Sequence, residues 1–180
     1  MKTLTKFNKK CNKFFLKLDL NNWQIIFCLF IFSFALRLLF INDGLFHHDS
    51  ILLSNAVTKT INTGVLQPTL SQRYGLVIAY LVPYYLYSKI FGITSTEFIF
   101  NFMTTFYGAL AVIFLYLFSK KYLKNSFIAI SSALLFAVTP IFFSITTYTK
   151  NHGLSIMLAL CSIFLLIKSI EKKSLLLTLL

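Results

Sequence analysis

The sequence predicts an all-α, polytopic membrane protein with four transmembrane helices, the start of a fifth, and two interfacial helices in the first extracytoplasmic loop. Two observations carry that prediction. Hydrophobic residues make up 57% of the chain and charged ones only 12%, and the mean hydropathy is +0.77. A soluble domain averages about 25% charged residues and covers itself with polar surface. Here that surface is too scarce, so lipid must cover the rest. The second observation is the placement of lysine. Lysines gather within residues 2–17, 120–124 and 168–173, each cluster beside a long apolar run. They read as cytoplasmic anchors obeying the positive-inside rule. The formal charge of +12 therefore implies no nucleic-acid partner, because no basic face with interleaved aromatics lies between the clusters.

The elements follow in order. Residues 1–19 form a basic cytoplasmic tail, and residues 20–180 a single membrane domain. The tail leads into the first apolar run with no small-residue cleavage site after it, the pattern of an uncleaved signal anchor; a plasma membrane is the expected location, and an endoplasmic-reticulum membrane is equally compatible with the pattern. A hydrocarbon core needs roughly 20 apolar residues, or about 17 at the short end. The predicted spans are 20–41, 98–119, 126–149 and 153–170. Arg37 lies near the outer end of the first and is expected to snorkel toward headgroups. Pro140 is expected to bend the third. A fifth run begins at Ser174, and the chain is expected to be truncated there, since it ends six residues after that serine.

Residues 75–91 are apolar enough to suggest another span, but lysine placement argues otherwise. A full crossing there would put the second and third lysine clusters opposite the tail. Tyr74, Tyr80, Tyr84, Tyr85 and Tyr87 suit the bilayer interface, and Pro83 bends the helix. The segment therefore reads as an interfacial or partly re-entrant helix, which leaves an outer loop over 42–96. Within that loop, residues 50–63 predict an amphipathic helix lying on the membrane surface. Leu52, Leu53, Ala56, Val57 and Ile61 form its apolar face; Ser54, Asn55, Thr58, Lys59 and Asn62 form the polar one; Gly64 ends it.

Only five acidic residues are present, so each is informative. Asp19 and Glu171 flank spans on the cytoplasmic side, Glu97 suits a helix N-terminus, and Asp43 precedes Gly44 as a turn residue. Asp49, in His47-His48-Asp49-Ser50, directly precedes the amphipathic helix. It is expected as an N-cap, and its position beside the membrane surface also suits a general base. His47 and His48 stand ready to tune it or to contact sugar hydroxyls. Three consecutive residues rarely converge on one ion, so no metal or other cofactor is implied. Arg73, on the same loop, suits bidentate phosphate binding, although an ordinary solvated arginine explains it as well. Lys150, Asn151 and His152 emerge on the same side of the bilayer, as a short polar turn or as further phosphate contacts. Cys11, Cys28 and Cys161 are scattered and lack metal-ligand or disulfide spacing.

The order of features resembles the N-terminal part of the GT-C glycosyltransferases, with the protein O-mannosyltransferase and aminoarabinose-transferase-like group as the nearest branch. The matching features are Leu36-Arg37-Leu38-Leu39-Phe40 closing a first span, Asp49 heading an amphipathic helix, Gly64, and the tyrosine-rich segment closing Phe91-Gly92. Asn101 then opens the second span, and Ala137-Val138-Thr139-Pro140 lies in the third. The resemblance implies transfer of a sugar from a polyprenyl- or dolichyl-phosphate donor to an extracytoplasmic protein, lipid or glycan acceptor. It implies an essential acidic residue in the first outer loop, at the place of Asp49, and a direct displacement at the anomeric carbon. Two departures stand out: Ser50 follows Asp49 where the family often has a second acid, and Lys150-Asn151-His152 stands where relatives often carry an acidic or polar contact. A non-catalytic membrane subunit is the competing reading. A transporter component is a third, disfavoured because the later spans lack buried charges to line an ion path.

Overall fold

The computed structural model describes residues 22–41, 44–45, 48–69, 74–92, 96–147 and 151–172. The basic tail and the start of the predicted fifth span lie outside these residues. All regular secondary structure among the described residues is helical: α1 (Asn22–Leu38), α2 (His48–Thr63), α3 (Tyr74–Phe91), α4 (Thr96–Leu123), α5 (Ser126–Val138), α6 (Pro140–Ile145) and α7 (Asn151–Lys172).

The central element is α4, against which α1, α5 and α7 pack. Its ends follow from charge and backbone chemistry. Glu97 lies in its first turn and Lys120 and Lys121 in its last, each complementing the partial charge of that terminus. Lys124 then takes a left-handed φ of 51°, and Asn125 caps the next helix, its side-chain oxygen accepting the amides of Phe127 at 3.0 Å and Ile128 at 3.3 Å. A short turn thus joins antiparallel helices where the lysine-bearing connection was expected. Ala129, Ala133 and Ala137 recur every fourth residue along α5 and are fully or almost fully buried, as are Ala109 and Ala111 on α4. Side chains this small let the two backbones approach closely, which is how helices gain packing where lipid gives no hydrophobic advantage.

Two apolar cores result. One joins α1, α4, α5 and α6 around Leu29, Val112, Tyr116 and Phe142. The other joins α2, α3, the start of α4 and the start of α7 around Val57, Val77, Tyr80, Phe100 and Leu154. Outside them, Phe32, Leu135, Ile141, Leu158 and Leu166 remain exposed, an apolar exterior suited to lipid. Glu97–Leu123 and His152–Glu171 are long and apolar enough to cross a membrane, while Asn22–Leu38 and Ser126–Val138 are apolar but shorter.

Several expectations need correction. The third predicted span is two helices, because Pro140 ends α5 at Val138 and opens α6 rather than merely bending one helix. Ser54 was assigned to the polar face of α2, yet it is buried with Ser50, Leu53, Ala56, Val57 and Thr60. The helix is covered on a wider arc because both α3 and α4 contact it. Tyr80 and Tyr84 are buried against protein rather than standing at the lipid interface; Tyr74 and Tyr85 are exposed. Gly64 and Gly92 end α2 and α3 as C-terminal glycines, at φ of 69° and 64°, with their amides bonded to the carbonyls of Thr60 and Ser88.

Candidate functional site

Asp49 and His48 lie exposed in the first turn of α2. The helix begins at His48, so Asp49 is inside that turn rather than at the cap. A carboxylate there still faces the positive end of the helix dipole. His47, Arg73 and Lys150 lie outside the described residues. Asn151 opens α7, and His152 follows it, exposed.

The packing explains what holds α2. Asn101, fully buried on α4, donates from Nδ2 to the carbonyl of Gly44 at 3.0 Å. Gly44 has a φ of 124°, a conformation that side-chain-bearing residues rarely adopt. The chain approaching Asp49 is thereby tied to a long apolar helix. On the other flank, α3 fastens to α4 through two tyrosines. The Tyr80 hydroxyl lies 2.7 Å from Thr104 Oγ1. Thr104 already donates to the carbonyl of Phe100, so Tyr80 donates to Thr104. Burial raises the pKa of the Tyr80 hydroxyl above its ordinary value, keeping it a neutral donor. Tyr107 on α4 returns the contact, donating to the carbonyl of Ala79 at 2.8 Å. The ring of Tyr80 meets Phe100 edge-on at 5.2 Å.

The start of α7 reaches the same end of the bundle. Leu154 shares a core with Leu53 and Tyr80, and a Cβ on Gly153 would stand 3.4 Å from the Thr104 carbonyl oxygen. The structure therefore gathers the helix starts carrying His48 and Asp49, and Asn151 and His152, at the end of α4 opposite its lysines. Among the described residues, no three His, Cys, Asp or Glu side chains group closely enough to hold a metal ion.

Arg37 was the residue most misread. It does not snorkel: its side chain is fully buried. Its Nε donates to Thr146 Oγ1 at 2.8 Å, Nη1 to the Ser33 carbonyl at 3.0 Å, and Nη2 to the Ala137 carbonyl at 3.2 Å. Its guanidinium also lies 4.9 Å from the centre of the Phe142 ring. The cause is the break at Pro140. Proline has no N–H, so the Phe136 carbonyl loses its usual helical partner and takes the amide of Thr139 instead. The next carbonyl, that of Ala137, turns to Arg37. The spacing of Ser33 and Arg37, one helical turn apart on an otherwise apolar helix, was the available signal.

Gly108 completes this polar knot. A Cβ there would stand 2.7 Å from Thr146 Cβ and 3.1 Å from Arg37 Nε. We expect Gly108→Val to lower the detergent melting temperature, at a cost of about 1–3 kcal/mol from overpacking. The accompanying gain in helix propensity, below about 1 kcal/mol, does not offset it. Melting unchanged from wild type would mean that α4 and the Thr146 turn separate freely.

All regular structure among the described residues is helical, two of the helices are long and apolar enough to cross a bilayer, and the pair of helices in the first loop is fastened to one end of α4. Residues 66–180 match the family model described as oligosaccharyl transferase STT3, N-terminal, and the chain belongs to that family. The matched stretch begins after Asp49. No curated protein and no solved structure matches the chain.

Proposed function

We propose that this chain forms the leading membrane part of an enzyme that transfers a glycan from a lipid-phosphate carrier to an extracytoplasmic acceptor, with Asp49 as general base. The family's name points to an oligosaccharide rather than the single mannose or aminoarabinose of the branch the sequence resembles, and in this reading a protein is the acceptor. In this reading four segments cross the membrane, with α5, α6 and the residues after them making the third crossing. On the same reading the N-terminus is cytoplasmic and the plasma membrane is the expected location.

The observation that supports the reading is polarity along α4. The exposed carboxylate of Asp49 belongs to the end where Glu97 opens the helix, and the lysines crowd the other. By the positive-inside rule the lysine end faces the cytoplasm, which leaves Asp49 outside, at headgroup level. There it takes the proton of the acceptor as the acceptor atom bonds to the anomeric carbon and the bond from that carbon to the carrier phosphate breaks. Arg73, Lys150, Asn151 and His152 are the candidates to hold the departing phosphate, and His47 and His48 to contact the sugar.

Sidedness tests this directly. In a chain whose Cys11, Cys28 and Cys161 are replaced by serine, His152→Cys is expected to react with a membrane-impermeant maleimide in intact cells. Reaction only after lysis would put this end of the bundle in the cytoplasm and remove Asp49 from the chemistry.

A further inference from the structure

At the opposite end of the bundle, the last turns of α4 and α7 enclose a cavity of about 210 Å³ that the transfer reaction does not use. Its floor is apolar: Phe118 from α4, Phe164 and Ile167 from α7. Its rim is charged. Lys121 and Glu171 face each other across it as an ion pair, and Lys124 overlooks it from the turn after α4. Lys168 adds a further ammonium 4.8 Å from the centre of the Phe164 ring, and Lys121 lies 6.0 Å from the same ring.

We infer that this cavity is a binding site for an anionic phospholipid of the surrounding bilayer. Three features select that ligand class. The site lies at the ends of the two helices long and apolar enough to cross a membrane, hence at headgroup depth. The lysines outnumber the one carboxylate, which favours a net-anionic headgroup over a zwitterionic one. The aromatic floor gives the glycerol and first methylenes of a lipid an apolar bed, for which a free inorganic anion has no use. The Lys121–Glu171 pair is partly exposed, with side-chain accessibilities of 26% and 56%. Such a pair holds together only weakly, so a lipid phosphate displaces Glu171 from Lys121 readily. A lipid lodged there bridges α4 and α7 at the end farthest from Asp49. The inference rests on these helices crossing a bilayer and not on the transfer reaction or on which face the lysines occupy.

The test uses the purified protein in neutral detergent, titrated with phosphatidylglycerol, phosphatidylcholine or inorganic phosphate. Bound lipid is counted by native mass spectrometry and melting temperature is recorded. Phosphatidylglycerol is expected to bind and raise the melting temperature, less so as salt is added, while the other two leave it unchanged. The double variant Lys124→Ala with Lys168→Ala is expected to weaken phosphatidylglycerol binding by about 25-fold, at about fivefold per lysine near a headgroup. Glu171→Gln, which removes the competing carboxylate, is expected to strengthen it. Equal binding of phosphatidylcholine, stabilisation by phosphate alone, or unchanged binding in the double variant would each overturn the assignment. Weakened binding in Glu171→Gln would do the same.

Discussion

Asp49→Asn is expected to slow glycan transfer by about 10²–10⁴-fold, the usual contribution of a positioned general base. The substitution is nearly isosteric and the residue is exposed in the first turn of α2, so it disturbs no buried packing. The lost attraction between carboxylate and helix dipole is worth about 0.3–1 kcal/mol. The clamp on α2 uses Asn101, Tyr80 and Tyr107 and does not involve this side chain. Protein abundance and membrane insertion are therefore expected to match wild type. The measurement is the rate at which membranes containing the full-length enzyme that this chain leads move a labelled glycan from a lipid-linked donor to an acceptor peptide, normalised to protein level. Unimpaired transfer would exclude Asp49 as the base.

Arg37→Ala is expected to destabilise the bundle by about 3–5 kcal/mol. Emptying a large buried site costs about 2–5 kcal/mol in comparable truncations, and the Ala137 carbonyl is left without its donor at a further cost of about 1–3 kcal/mol. Removing a buried charge works in the other direction, but weakly. Arg37 lies one residue from the end of α1, where the unpacked helix lets the side chain reach headgroups, so its charge is inexpensive in the reference state. The sum favours a large loss, read as a lowered melting temperature in detergent and reduced abundance in cells. Arg37→Lys separates the packed role from a snorkelling one. A single ammonium cannot serve Thr146, Ser33 and Ala137 together as the guanidinium fork does. That variant is expected to fall between alanine and wild type; wild-type stability would mean that the fork has no structural part.

The features legible in the sequence were those that depend on one stretch at a time. Long apolar runs bounded by lysine marked α4 and α7; the lysine cluster at 120–124 between two apolar runs marked the turn from α4 to α5; Gly64 and Gly92 marked helix ends. Residues whose roles depend on distant partners were not legible. Hydropathy scores Arg37 by the cost of its own transfer, and its hydroxyl partner Thr146 is 109 positions away. Ser54 looked solvent-facing by its polarity, yet it is buried on the same face as Thr60, whose hydroxyl donates to the Ala56 carbonyl at 2.7 Å and accepts the Gln67 amide at 2.9 Å. Tyr80 and Tyr84 carry the composition of an interfacial belt, and only the presence of Phe100 and Thr104 across from Tyr80 turns it inward. In the candidate site, Asp49 and His48 were found at a helix start as expected, whereas the clamp that steadies them rests on Asn101 and the tyrosines. The sequence marked those residues only by their position.

The bond from Asn101 to Gly44 makes the height of the loop a property of the spanning helix. A bilayer thick enough to stand α4 upright lifts that amide along the membrane normal, and the backbone it grips rises with it, only four residues before His48. Hydrocarbon thickness is thereby expected to bear on the loop mechanically, through Asn101 and the tyrosine contacts that fasten the loop to α4.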